Sequence, residues 1–103
     1  MKVILTENAY THLKRIPARE LAKIKKTLYE LESSQDIFTT GAVKLNLKNE
    51  EGVELFALPV SDRYRIIFTY DHNGSLDFNP ENFDKNTIYV LEVLDKNNLH
   101  KTI

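Results

Sequence analysis

The spacing of apolar residues changes once along this chain, from a helical period to a strand period. Between residues 21 and 31, apolar side chains recur at intervals of three and four, which is typical of one face of an α-helix. After Thr39-Thr40-Gly41, apolar and polar residues alternate over residues 43–48, as expected of a strand with one solvent-exposed face. The pattern predicts helices in the first third of the chain and strands in the remainder.

We predict that a short strand and two helices precede this change. Residues 2–5 form the strand, and Thr6 offers a hydroxyl N-cap for the first helix. The apolar face of that helix consists of Ala9, Tyr10, Leu13 and Ile16. Pro17 cannot continue this helix but suits the first turn of the next. The apolar face of the second helix consists of Leu21, Ile24, Leu28 and Leu31. The result is a helical hairpin that ends near residues 33–36.

Three further strands are predicted over residues 53–58, 64–70 and 87–94. Pro59 belongs at a strand end, a bulge or an edge, and residues 71–86 form a long polar excursion. The order β-α-α-β-β-β-β predicts one α+β domain spanning residues 1–103. In it, an N-terminal strand and a helical hairpin precede a mostly antiparallel four-strand run that forms one sheet packed on the helices.

Composition narrows the classes of function. The chain has no cysteine, which excludes disulfides and thiolate metal sites and agrees with a reducing cytoplasm. Val3-Ile4-Leu5 is too short for a signal peptide or a membrane span, so we expect a cytoplasmic protein without membrane association. A net charge of −1 argues against coating nucleic acid through positive charge alone. The three histidines lack metal-ligand spacing and no glycine-rich phosphate loop is present, so we expect no metal or cofactor.

Two arginines, Arg63 and Arg65, lie at the start of the strand predicted over residues 64–70. That segment is rich in β-branched and aromatic residues, as expected of a buried strand, so Arg65 is held on a rigid element. A guanidinium stays charged at any working pH, and its planar fork of donors matches phosphate oxygens. Arg65 is therefore a candidate phosphate clamp, and the alternative is an ion pair at the rim of the sheet.

The chain resembles the RelE/ParE superfamily of toxins from toxin–antitoxin pairs. The resemblance covers nearly the whole sequence. It is carried by the short first strand, the helical hairpin, the Lys44-Leu45 step, the run Ser61-Asp62-Arg63-Tyr64-Arg65-Ile66-Ile67, and the last strand around residues 89–93.

The resemblance implies a toxin held by an antitoxin protein. In the RelE branch, such a toxin cuts mRNA on the ribosome without a metal. This cleavage needs a base for the ribose 2′-hydroxyl, cations for the pentavalent phosphate and an acid for the leaving oxygen. Arg65 matches the strand arginine of the family and takes the phosphate-stabilising role, which Arg63 assists. His100 lies near the position of a tail tyrosine in relatives and is the expected proton donor or acceptor.

Several lysines and one further arginine are candidates for RNA binding. They are Lys44 and Lys48 of the second strand, Lys96 and Lys101 of the tail, and Arg19, Lys23 and Lys26 of the second helix. The alternative for each is a solvated surface charge, which is the usual condition of an amphipathic element.

The chain also departs from the family pattern. Nucleases of the family often carry basic side chains on the strand before the arginine strand, where this chain has Ala57 and Pro59. Neither side chain can donate or accept a proton. The alternative function is therefore that of a non-nuclease member, either a ParE-like poison of DNA gyrase or a catalytically degenerate antitoxin-binding module.

Overall fold

The computed structural model describes residues 2–48, 54–71 and 87–95, of which residues 46–48 and 71 are described by their backbone alone. The elements, in chain order, are β1 (Lys2–Leu5), α1 (Glu7–Leu13), α2 (Ala18–Ser33), a 3-10 helix (Ile37–Thr40), β2 (Val43–Lys48), β3 (Glu54–Pro59), β4 (Tyr64–Asp71) and β5 (Thr87–Asp95). The predicted order of helices and strands is confirmed. The 3-10 helix lies between α2 and β2, just before the change to the strand period.

The strands form one five-stranded sheet in the order β1-β5-β4-β3-β2. β1 pairs with β5 in parallel, and the other neighbours are antiparallel. The predicted fold class is thus confirmed: an α+β fold with a mostly antiparallel sheet packed on helices. β1 and β2 are the edge strands, and β4 lies at the centre between β3 and β5.

Local chemistry explains where the two α-helices begin. Thr6 caps α1, since its Oγ1 accepts a hydrogen bond from the Ala9 amide N–H at 3.3 Å. Pro17 occupies the N-cap position of α2, one residue before the helix. Within the described residues, no helix is both long and apolar enough to cross a lipid bilayer.

The hydrophobic core lies between the helices and one face of the sheet. Alternate residues of β4 point into it, and Ile66 and Phe68 are fully buried. The Phe68 ring stacks on the Phe56 ring of β3 with centroids 5.5 Å apart. The helices contribute Ala9, Leu13, Ile24 and Leu31, and β5 contributes Ile88, Val90 and Val93.

The predicted apolar face of α1 is wrong at Tyr10. Ala9 is fully buried, but Tyr10 is 54% exposed because one further residue rotates a side chain by about 100° around the helix axis. The Lys14 ammonium lies 4.5 Å from the centroid of the Tyr10 ring. The face predicted for α2 holds, with Ile24 and Leu31 buried and Leu21 and Leu28 packed against the core.

The predicted faces of β2 also need correction. Val43, expected inside, is 56% exposed. Lys44, expected on the solvent face, lies opposite Phe56 in the register and therefore shares the face that carries the core. β2 is an edge strand at the rim of the core, so alternation does not separate a buried face from a wet face there.

Candidate functional site

Arg65 projects from the central strand on the face of the sheet opposite the core. Its neighbours along β4, Tyr64 and Ile66, are buried, whereas Arg65 is exposed. Because side chains alternate along a strand, the guanidinium points away from the helices. Its cross-strand neighbours are Pro59 of β3 and Leu94 of β5. Among the described residues, no carboxylate forms an ion pair with Arg65.

Arg63 is held differently, although it lies only two residues earlier. Its Nε donates to the two carboxylate oxygens of Asp95 at 3.3 and 3.2 Å, and its Nη2 donates to Oδ2 at 3.1 Å. The guanidinium also lies 5.2 Å from the centroid of the Tyr64 ring. The hydrogen bonds to Asp95 and its negative charge raise the pKa of Arg63 above its ordinary value. The Arg63 guanidinium is therefore held by Asp95 and does not form one cationic site with Arg65.

The bend before β4 accounts for this difference. Ser61 Oγ accepts hydrogen bonds from the amide N–H groups of Arg63 and Tyr64, at 3.2 and 3.3 Å. Asp95 lies opposite Tyr64 in the register and so shares the side of the sheet into which Tyr64 points. The bend directs Arg63 to that side.

A cleft of about 510 Å³ opens between the end of α1 and the paired ends of β4 and β5. Its lining consists of His12, Arg15, Ile16, Pro17, Arg63, Tyr64, Glu92, Val93, Leu94 and Asp95. His12 Nδ1 lies 3.6 Å from Glu92 Oε1 across it. Burial raises the pKa of the Tyr64 phenol above its ordinary value. Arg65 is not part of this lining.

The predicted RNA-binding cations are dispersed. Lys44 Nζ pairs with Glu54 Oε1 at 3.0 Å, and Lys23 Nζ lies 3.8 Å from Glu20 Oε1 one turn earlier on α2. Arg19 and Lys26 are exposed on α2. The backbone of Lys48 lies opposite Glu54 at the end of β2. The tail residues Lys96, His100 and Lys101 lie outside the described residues.

Sequence reasoning missed the group of residues around the cleft, namely His12, Arg15, Glu92 and Asp95. A signal for one contact was present: in an antiparallel pair, the start of β4 meets the end of β5, which brings Arg63 near Asp95. The position of α1 beside β5 had no such signal, because it depends on the parallel pairing of β1. Among residues 2–45, 54–70 and 87–95, no group of histidines and carboxylates is placed to hold a metal ion.

No protein-family model and no curated protein matches this sequence. Among the solved structures that are similar, three each cover 92% of this chain. The YoeB/ParE toxin from Agrobacterium tumefaciens is 12% identical with a TM-score of 0.59 over 98% of its chain. The toxin–antitoxin complex RelBE2 from Mycobacterium tuberculosis is 22% identical, with a TM-score of 0.60 over 96% of its chain. The archaeal RelE–RelB complex from Pyrococcus horikoshii is 16% identical, with a TM-score of 0.61 over 93% of its chain. These similarities show that the chain has the fold of RelE/ParE-type toxins.

Proposed function

We propose that this chain is the toxin of a type II toxin–antitoxin system and acts in the cytoplasm as a metal-independent, ribosome-dependent mRNA endoribonuclease. One observation carries the proposal: in a fold shared with RelE-type toxins, the central strand presents an exposed arginine, Arg65, which none of the described carboxylates neutralises. A fixed cation on a rigid strand is suited to stabilising a phosphate that gains negative charge in the transition state.

The proton-transfer groups must come from elsewhere. The cross-strand neighbours of Arg65 are Pro59 and Leu94, which do not titrate. We assign the acid or base role to His100, because histidine is the residue type whose ordinary pKa lies nearest to neutral pH, with Lys96 and Lys101 contributing positive charge. Arg19, Lys23, Lys26, Lys44 and Lys48 are the proposed wider RNA contacts. Arg63 is left out of this set because Asp95 engages its guanidinium away from Arg65.

Cleavage of mRNA by purified protein on translating ribosomes tests the proposal. Mapping of mRNA ends should reveal new cuts with the wild type, and Arg65→Ala should lower the cleavage rate about 10²- to 10³-fold. Lys2→Ala removes an exposed cation from the edge strand β1 and serves as the charge control, with cleavage unchanged. Absence of cleavage by the wild type, or full cleavage by Arg65→Ala, would reject the nuclease.

A second function, that of a non-nuclease family relative, is favoured by the residues of β3. Ala57 lies opposite Ile67 and Pro59 lies opposite Arg65, so neither of these two β3 residues supplies a second cation beside Arg65. Such a protein is a ParE-like poison of DNA gyrase or a degenerate antitoxin-binding module. Induction in cells separates the cases. Translation arrest supports the nuclease, replication damage with intact translation supports the gyrase poison, and harmless expression supports the degenerate module.

We also propose an antitoxin protein as partner. Two of the similar solved structures are toxin–antitoxin complexes. In this chain, the edge strand β2 and the adjacent 3-10 helix expose Val43 and Phe38, each at 56%, and an unpaired strand edge can accept a further strand. Co-expression with the small protein encoded beside it should yield a stable complex and abolish toxicity. A monomeric, non-toxic chain with no small neighbouring gene would contradict this proposal.

A further inference from the structure

The cleft beside β5 has the dimensions of a small-molecule site and lies apart from Arg65. Its volume of about 510 Å³ is within the range of about 300–1,000 Å³ that is usual for ligand pockets. Ile16 and Pro17 supply apolar surface, while six titratable side chains supply polar groups. Apolar walls with a few converging polar groups are the usual composition of a binding site.

The charges of the cleft leave room for one anionic group. Asp95 is engaged by Arg63, and Glu92 faces His12 at 3.6 Å, so each carboxylate already has a cationic or cationisable neighbour. Arg15 is the remaining cation, and it has no ion-pair partner among the described residues. Its exposed guanidinium is suited to a phosphate, whose oxygens match the fork of N–H donors.

The cleft also presents a flat, preorganised surface. Three hydrogen-bond contacts to Asp95 fix the plane of the Arg63 guanidinium, which lies over the Tyr64 ring on one side. The Arg63 side chain remains 47% exposed and lines the cleft. Guanidinium planes stack on nucleic-acid bases as aromatic rings do. A planar base therefore has a stacking surface here, with Pro17 as the adjacent apolar wall.

We propose that this cleft binds a nucleotide, either free or as one unit of a single-stranded RNA, with its phosphate on Arg15 and its base on the Arg63 guanidinium. The site is independent of the nuclease assignment because it uses neither Arg65 nor the tail. The contact with Asp95 holds Arg63 away from Arg65. In the proposed site, Arg63 has a role in binding the base.

A titration of ¹⁵N-labelled protein with 5′-AMP, followed by NMR, tests the site without measuring activity. Saturable shifts should appear in the amides of residues 12–16 and 92–95. Adenosine, which lacks the phosphate, and inorganic phosphate, which lacks the base, should each bind at least about tenfold more weakly. Arg15→Gln should weaken 5′-AMP binding by a similar factor, whereas the control Lys2→Gln should leave it unchanged.

A short single-stranded oligoribonucleotide distinguishes the two sources of the ligand. Tighter binding of the oligoribonucleotide than of 5′-AMP, with the same residues shifted, identifies an RNA strand as the ligand, and equal or weaker binding identifies a free nucleotide. Shifts confined to other residues, no saturation at millimolar 5′-AMP, or equal binding by adenosine and 5′-AMP would overturn the proposal. The ligand comparison uses the wild type and so does not depend on how Arg15→Gln folds.

Discussion

Two residues of sequence separate Arg63 from Arg65, yet their environments differ completely. Alternation along a strand would place both on one side of the sheet, but Arg63 precedes β4 and lies in the bend that Ser61 stabilises. Side chains alternate between the two faces of a sheet only inside a strand. Arg63 therefore pairs with Asp95 in the cleft, and Arg65 remains exposed on the opposite face. The boundary of the strand decides which arginine is available to a phosphate.

Tyr64 makes stability depend on pH in the alkaline range. Its side chain is 3% exposed, and burial raises the pKa of its phenol above the unfolded value of about 10. The unfolded chain therefore ionises first, so this contribution to stability is complete below about pH 10 and is lost as the pH rises through the folded-state pKa. In urea denaturation from pH 8 to 11, the free energy of unfolding should fall less steeply with pH for Tyr64→Phe than for the wild type.

The matched control is Tyr29→Phe, which changes the same atom on a side chain that is 71% exposed. It should follow the wild-type profile. A loss of stability above pH 10 that is as steep in Tyr64→Phe as in the wild type would mean that Tyr64 does not carry the effect.

At the scale of elements, Thr6 joins three of them. Its hydroxyl accepts from the Ala9 amide at the start of α1 and donates to the Val90 carbonyl of β5 at 2.9 Å, directly after β1 ends. Thr6→Ala removes the cap and the contact with β5 together, so we expect a loss of about 1–2 kcal/mol in the free energy of unfolding. Thr6→Ser keeps the hydroxyl and should retain most of the free energy of unfolding that Thr6→Ala loses. Urea denaturation monitored by circular dichroism measures both.

Thr11→Ala is the control for this comparison. The Thr11 hydroxyl donates to the Glu7 carbonyl one turn earlier in the same helix, at 2.9 Å, and is exposed. Its loss should change stability by no more than about 0.5 kcal/mol. Equal effects at the two threonines would show that the contact with β5 contributes nothing.

The accuracy of prediction from sequence also differed between elements. The prediction of a strand over residues 64–70 differs from the observed β4 by one residue, because a central strand with dense apolar and β-branched residues has a strong signal. β2 was located correctly, but the faces of Val43 and Lys44 were not, since an edge strand has no fully buried side. Arg65 was placed on a rigid strand as predicted, whereas the cleft was missed because three segments distant in sequence form it.

At the scale of the whole molecule, the parallel pairing of β1 with β5 is the feature that no local pattern encodes. It brings Val3 opposite Ile88 across more than 80 residues of sequence, and α1 then follows beside the remaining half of β5. The polar and apolar pattern of a four-residue strand is compatible with pairing at either edge of the sheet. The choice is made by the burial that β1 gains against β5 and the helices.

This topology predicts a gradient of stability across the sheet. β4 and β5 each have a strand on both sides, whereas β2 is an edge with Val43 exposed. Amides of Ile66 and Val90 should therefore exchange with deuterium only through global unfolding, and those of residues 43–45 through smaller local openings. Ile88→Ala, at a fully buried position opposite β1, should cost about 2–5 kcal/mol and accelerate exchange throughout β4 and β5. Val43→Ala should accelerate exchange in β2 alone. If Ile88→Ala left β4 protected, the five strands would not unfold as one cooperative unit.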